Sequence, residues 1–168
     1  MKHAYFIAGT DTGIGKTHAA CALLHAYRQH GVCAVGMKPV AAGIEANGEN
    51  EDVTLLREAS SFAAETALIN PYCFGEPIAP HIAAADESVS VDLPPIRDAL
   101  AALQATSEVV LVEGVGGLLV PLGEDFDAAD LAVALALPVI LVVGMRLGCL
   151  NHALLTLEAL QSRGLTLA

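Results

Sequence analysis

Near the amino terminus, the stretch Gly9-Thr10-Asp11-Thr12-Gly13-Ile14-Gly15-Lys16-Thr17 restricts the possible folds of this chain more than any other. It follows an apolar run, Ala4-Tyr5-Phe6-Ile7-Ala8, that reads as a buried strand. It opens into residues 16–30, where Ala20, Leu23, Leu24 and Tyr27 fall on one helical face and Gly31 supplies a stop. Strand, glycine-rich turn and Gly-Lys-Thr at a helix start is the context of a phosphate-binding loop. Backbone N–H groups of the turn and first helical turn lack internal partners and point at one spot, where the helix dipole also favours anions. Glycines let the backbone close around phosphate without Cβ clashes. Lys16 places a charge on the terminal phosphates and Thr17 offers a hydroxyl to Mg²⁺. Five residues separate Gly9 from Gly15, one more than the common motif has, so the loop is an enlarged variant.

A hydrophobic content of 54% against 16% charged residues predicts extensive burial, and 168 residues suit one domain with a proper core. The net charge of −11 argues against nucleic acid or an anionic membrane as partner. Only eight lysines and arginines are available, so anionic ligands must be held by cations placed locally. The first strand begins almost at once, with no signal pattern before it, and the apolar run over 131–143 is too short for a bilayer and is broken by Pro138. Cys21, Cys33, Cys73 and Cys149 have neither metal spacing nor scaffold density and read as core thiols in a reducing compartment, which predicts a cytoplasmic protein. The six histidines show no ligand-like pairing and read as structural, and no Asn-Lys-x-Asp signature points to guanine.

Further along, residues 32–37 form a second apolar run ending in Lys38-Pro39, which sets Lys38 at a strand's carboxyl end. Residues 41–52 read as an acidic surface loop, with a short helix over 53–58 after Asp52. Residues 70–81 read as a proline-punctuated excursion, followed by a helix near 81–85. Asp92 with Pro94-Pro95 starts another helix, continued by Ile96, Ala99, Leu100 and Leu103. A strand over 108–112 runs into Glu113-Gly114-Val115-Gly116-Gly117, a helix is expected over 127–135, and Pro138 opens a strand over 139–143. After a turn over 144–148, Leu150, Leu154 and Leu157 stripe a last helix ended by Gly164, and residues 165–168 begin a further strand. Apolar strands alternating with helices predict an α/β chain of three layers, a mainly parallel central sheet with helices on both faces. In such sheets ligands bind at the strands' carboxyl ends, where the Gly9 loop, Lys38, Glu113 and the Gly144 turn converge.

Glu113, after four apolar residues, stands where phosphate-loop proteins place an acid to organise Mg²⁺. Asp52 carries two readings, a cap for the helix that follows and a second acid near the metal, and composition does not separate them. Lys38 beside an anion site can stabilise charge that develops during phosphoryl transfer. Gly148-Cys149-Leu150-Asn151 opens a helix whose free N–H groups suit a carboxylate or phosphate.

With these residues assembled, the chain resembles the dethiobiotin synthetases along its whole length. The matching stretches are Gly9-Thr10-Asp11-Thr12 with Gly15-Lys16-Thr17, Lys38-Pro39-Val40, Asn70-Pro71-Tyr72, Pro80-His81-Ile82, Val112-Glu113-Gly114 with Gly116-Gly117, and Leu147-Gly148-Cys149 with Asn151-His152. The resemblance implies a P-loop NTPase-like fold and an ATP- and Mg²⁺-dependent carboxylation that closes a cyclic urea on 7,8-diaminopelargonate with CO2 or bicarbonate. It gives catalytic work to Lys38, Lys16 and Thr12. ATP contacts fall to Gly13, Ile14, Gly15, Lys16, Thr17 and His18, with Asp52 and the run Glu113, Gly114, Val115 and Gly116. Thr17, Asp52 and Glu113 would organise Mg²⁺. Substrate contacts fall to Lys38, to Ala42 through its backbone, and to Gly148, Cys149, Leu150 and Asn151 from a second copy in a homodimer. By the same resemblance, Gly13 stands where a well-studied form has an acidic residue, Ala42 stands where a hydroxyl residue often contacts substrate, and family members continue for several dozen residues that complete the sheet and recognise adenine. The alternative is a related P-loop ATPase that acts as a switch or partner-binding module, or a nucleotide-binding scaffold without catalysis. An early loop lysine usual in the partitioning-type ATPases is missing from positions 10–14.

Overall fold

Strands apolar on both faces need cover on both faces, and the computed structural model, which describes residues 3–46 and 48–168, supplies it. Among the described residues the strands β1 (His3–Gly9), β2 (Ala34–Met37), β5 (Val109–Glu113) and β6 (Val139–Val142) form one parallel sheet in the order β2-β5-β1-β6. Its two faces follow from the period-two alternation of strand side chains. Tyr5 and Ile7, with Ala34, Val109 and Leu111, face α1 (Lys16–Gln29) and α2 (Glu51–Ala59), where Ala20, Leu24, Leu56 and Ala59 close the layer. Ala4, Phe6 and Ala8, with Val35, Met37, Val110 and Val112, face the other side. Ile96 and Leu103 of α5 (Leu93–Thr106), Leu131 of α6 (Ala128–Leu135) and Leu160 of α7 (Cys149–Ser162) cover that side. The three-layer α/β arrangement expected from the sequence is therefore present.

Backbone spacing between the sheet and α2 is set by one glycine. A Cβ at Gly36 would lie 2.9 Å from a methyl of Leu56 and 3.2 Å from one of Leu24, so only hydrogen at this strand position lets both helices seat.

The middle of the chain departs from the sequence reading. Residues 41–52 and 70–81 were expected to be loop and excursion, but Val40–Ala42 (β3) and Tyr72–Phe74 (β4) pair in parallel as a second, two-stranded sheet. Pro39 has no N–H to continue the main ladder, which ends at Met37 opposite Val112, and the apolar residues after it find a new partner instead. Position 47 of that acidic stretch lies outside the described residues. A short helix, α3 (Thr66–Ile69), precedes β4, and α4 (Pro80–Asp86) follows it. Helix α2 starts at Glu51 and not after Asp52, because Asn50 is its cap and accepts the N–H of Val53 through its side chain. At the other end, the N–H of Val139 donates to Thr166 and that of Ala168 to Val139, which lays residues 166–168 along β6 as the sequence suggested.

Two further expectations are corrected. None of the cysteines is a core thiol: Cys73 is exposed, and Cys21, Cys33 and Cys149 are partly exposed. Cys21 sits one position beside the buried stripe of α1, although burial of its thiol still pushes its pKa up to about 11. The leucine stripe of α7 is only partly covered: Leu150 and Leu154 are 78% and 66% exposed, Leu157 packs partly buried against the core, and Leu160 is the buried residue of that helix.

Candidate active site

The alternation that sorts the core also aims the site. Gly36 and Leu111 face the α1/α2 side, so Lys38 and Glu113, two residues further on, emerge on that same side at the sheet's carboxyl rim. Waiting there are Thr17 in the first turn of α1 and Asp52 in the first turn of α2. The Lys38 Nζ donates to Asp52 Oδ2 at 2.6 Å and to Glu113 Oε1 at 2.7 Å. The Thr17 Oγ1 lies 2.7 Å from Asp52 Oδ1 and 2.8 Å from Glu113 Oε1. Four side chains from four separate elements thus meet within hydrogen-bond distance. Asp52 is not the helix cap, which leaves its carboxylate for this cluster.

Burial makes the cluster's charges costly unless paired. Glu113 is 0% exposed and Lys38 3%, so each charge must find its partner inside the protein. Burial alone would push the Lys38 pKa down, but the carboxylates of Glu113 and Asp52 more than offset this and hold it above the ordinary lysine value. Burial likewise works against the Asp52 anion, and Lys38 outweighs it, so that carboxyl stays below its usual range. Lys16 differs: burial, then the charge of Lys38, lower its pKa, so it is the lysine that gains most from an anionic partner. Its Nζ donates to the carbonyl of Asp11 at 2.8 Å, and its stem passes over Gly9, where a Cβ would lie 2.8 Å from it.

The phosphate loop is built as the sequence implies. Gly15 caps α1 at a φ of 92°, a left-handed conformation open to glycine. No side chain among the described residues caps α1 and its first turn carries no acid, which leaves those N–H groups for a ligand. Thr12, Gly13, Gly15, His18, Val115 and Gly116 line, with the four-residue cluster, a cavity of about 420 Å³. Ala42 reaches it as well. Ile14 and Gly114 are not among its lining residues. The side chain of Ile14 packs at Gly144, where a Cβ would lie 2.5 Å from it, and Gly114 sits against the ring of Phe6. Asn50, Glu51 and Leu55 line the cavity although the sequence reading passed over them. An Asn two positions before Asp52 was the available signal, since such a residue caps helices.

Gly148, Cys149, Leu150 and Asn151 stay apart from this cavity. The loop that precedes them is tied to the phosphate loop, where the Gly144 N–H donates to Thr10 Oγ1 at 3.2 Å and Arg146 pairs with the Asp11 carboxylate. The Thr12 N–H and then Arg146 hold that carboxyl below its ordinary range. Gly148 caps α7 at a φ of 94°, again with no capping side chain among the described residues.

The donor set suits a divalent cation. Thr17, Asp52 and Glu113 present hard oxygens. Glu113 Oε2 is buried without a hydrogen-bond partner among the described residues. Thr17 has one proton for two carboxylate contacts, so one of them sets oxygen against oxygen.

A family model described as an AAA domain matches residues 3–168. An ATP-dependent dethiobiotin synthetase from Aromatoleum aromaticum is 62% identical over 98% of this chain and 75% of its own length. The chain belongs to the dethiobiotin synthetase family. ATP-dependent dethiobiotin synthetases from Nitrosospira multiformis and Xanthomonas oryzae pv. oryzae are 52% and 53% identical, over 100% and 96% of this chain and 74% of each relative. The match to the dethiobiotin synthetase family spans both the Gly9 loop and the rim cluster.

Proposed function

We propose that this protein, as a single nucleotide-binding domain, carboxylates 7,8-diaminopelargonate and closes its ring to dethiobiotin, with conversion of ATP to ADP and phosphate. The relatives' shared name supports the activity, and the alternative of a switch or inert scaffold has no observation in its favour. The observation that carries the reading is the rim cluster: an ammonium, two carboxylates and a hydroxyl held over the mouth of a phosphate loop.

The chemistry follows from charge. One amine takes up CO2 as a carbamate, and a carbamate oxygen attacks the γ-phosphorus of ATP while the bond to the ADP oxygen breaks. The second amine then attacks the carbonyl carbon of the mixed anhydride, and phosphate leaves as the ring closes. Each species is anionic, so catalysis is mostly positioning and charge stabilisation. The N–H groups of Gly13 to His18 and the Lys16 ammonium grip the phosphates. Lys38 and Thr12, both in the cavity lining, hold the carbamate and the group in transfer. Ala42 offers only its backbone to the diamine. Thr17, Asp52 and Glu113 would hold Mg²⁺, which neutralises phosphate oxygen charge when bound.

ADP release should require both the diamine and bicarbonate. Omitting either in turn from a coupled assay is expected to abolish release, and release that continues without both would overturn the reading.

A homodimer completes the proposal. Met145, Leu147, Leu150, Leu154 and Leu155 present a contiguous apolar run on α7 and the loop before it, with Met145 88% and Leu155 58% exposed. A second copy packed there would bring its own α7 N–H groups toward the diamine's distal carboxylate. Leu154→Glu should shift the sedimenting species from dimer to monomer, and an unaltered protein that already sediments as a monomer would refute the assembly. No helix among the described residues is long and apolar enough to cross a membrane. The charge of −11 supports an enzyme of small molecules with no nucleic-acid partner.

A further inference from the structure

The stretch Asn70-Pro71-Tyr72 has no part in the cavity, yet its first residue is among the few buried polar side chains, at 8% exposure. The Nδ2 of Asn70 donates to the carbonyl of Lys38 at 2.6 Å and to that of Tyr72 at 2.8 Å. Both partners are carbonyl oxygens, which only accept, so the nitrogen must face them. The neighbouring carbonyl, that of Ile69, accepts the N–H of Lys38 at 2.7 Å. Both backbone polar groups of Lys38 are therefore held by residues 69 and 70.

This grip answers a local need. The β2–β5 ladder ends at the pair Met37 and Val112, and Pro39 follows Lys38, so no strand neighbour satisfies Lys38. A buried lysine has a flexible four-carbon stem, and its ammonium is located only as well as its Cα is. At rest the far end is also tied by Asp52 and Glu113. When Lys38 turns to a carbamate or phosphoryl oxygen, those contacts are shared or given up, and the backbone anchor alone sets where Nζ sits.

We infer that Asn70 is a positioning residue for the reaction: its carboxamide fixes the backbone of Lys38 and so aims the ammonium at the group in transfer. The inference rests on the role given to Lys38 above. A misplacement of about 1 Å costs roughly 100-fold in rate, which bounds the effect of losing the grip.

A double-mutant cycle tests it, with kcat, ATP KM and nucleotide affinity read below each variant's unfolding temperature. Asn70→Ala is expected to lower kcat by about 30- to 100-fold with ATP affinity within about twofold, and to cost no further rate in the Lys38→Ala background. Losses that multiply in the double variant would overturn the inference, as would a lowered melting temperature with kcat intact. If Asn70→Ala does not fold, Asn70→Ser keeps a short donor and takes its place. If neither folds, Asn70 is structural and the inference fails. An unchanged kcat in Lys38→Ala alone would strike the role of Lys38 itself, a result distinct from the others.

Discussion

Lys38→Ala is expected to lower kcat by about 10²- to 10³-fold while leaving ATP affinity within a few-fold, the loss typical of one preorganised donor at a developing charge. The reason is location. Lys38 reaches the rim from the end of β2 and its Nζ pairs with Asp52 and Glu113, whereas the loop amides grip the phosphates, so its removal is expected to spare nucleotide binding. Lys16, which lies inside the loop, should instead damage both quantities when changed to alanine. A second readout needs no turnover. With the ammonium gone, Asp52 and Glu113 lose their shared counter-charge, so nucleotide-free Lys38→Ala should bind Mn²⁺ more tightly than the unaltered protein. Equal losses of nucleotide affinity in the two lysine variants, or weaker Mn²⁺ binding, would contradict the assignment.

Glu113→Ala should destabilise the fold by about 3–5 kcal/mol, because it strands a buried ammonium beside a single half-exposed carboxylate. Turnover should vanish with it, since the residue is also a proposed metal ligand. The stability loss and the activity loss can be separated. Adding Lys38→Met removes the stranded charge, and such apolar replacement of a buried ion pair is often neutral or stabilising, so the double variant should regain most of its resistance to urea yet stay inactive. Glu113→Ala with an unchanged urea midpoint would mean that the ammonium has water or another partner in solution, against the burial seen here.

Much of this site was readable before any coordinates. Lys38 and Glu113 declare themselves because each ends an apolar run, and strand period two then sends both to one face. The two-stranded sheet of β3 and β4 was not readable, since each strand has only three residues and neither run is long enough to show a period. Asn70 was visible as part of a motif, but its task was not, because a carboxamide's partners are chosen by whichever carbonyls the fold leaves without a ladder.

The amino-acid order alone determined the phosphate loop, the identities of the sheet strands and the rim on which chemistry gathers. These depend on local backbone sterics and on spacing within single elements. Only the tertiary structure decided that Asn50 caps α2 and thereby frees Asp52, that Thr17 lies against Glu113 96 positions away, and that Leu150, Leu154 and Leu155 of α7 face outward while Leu160 is buried. Periodicity reports which side chains share a face. Whether that face is covered, and which distant polar groups satisfy one another, is settled by the three-dimensional competition for buried area and hydrogen-bond partners.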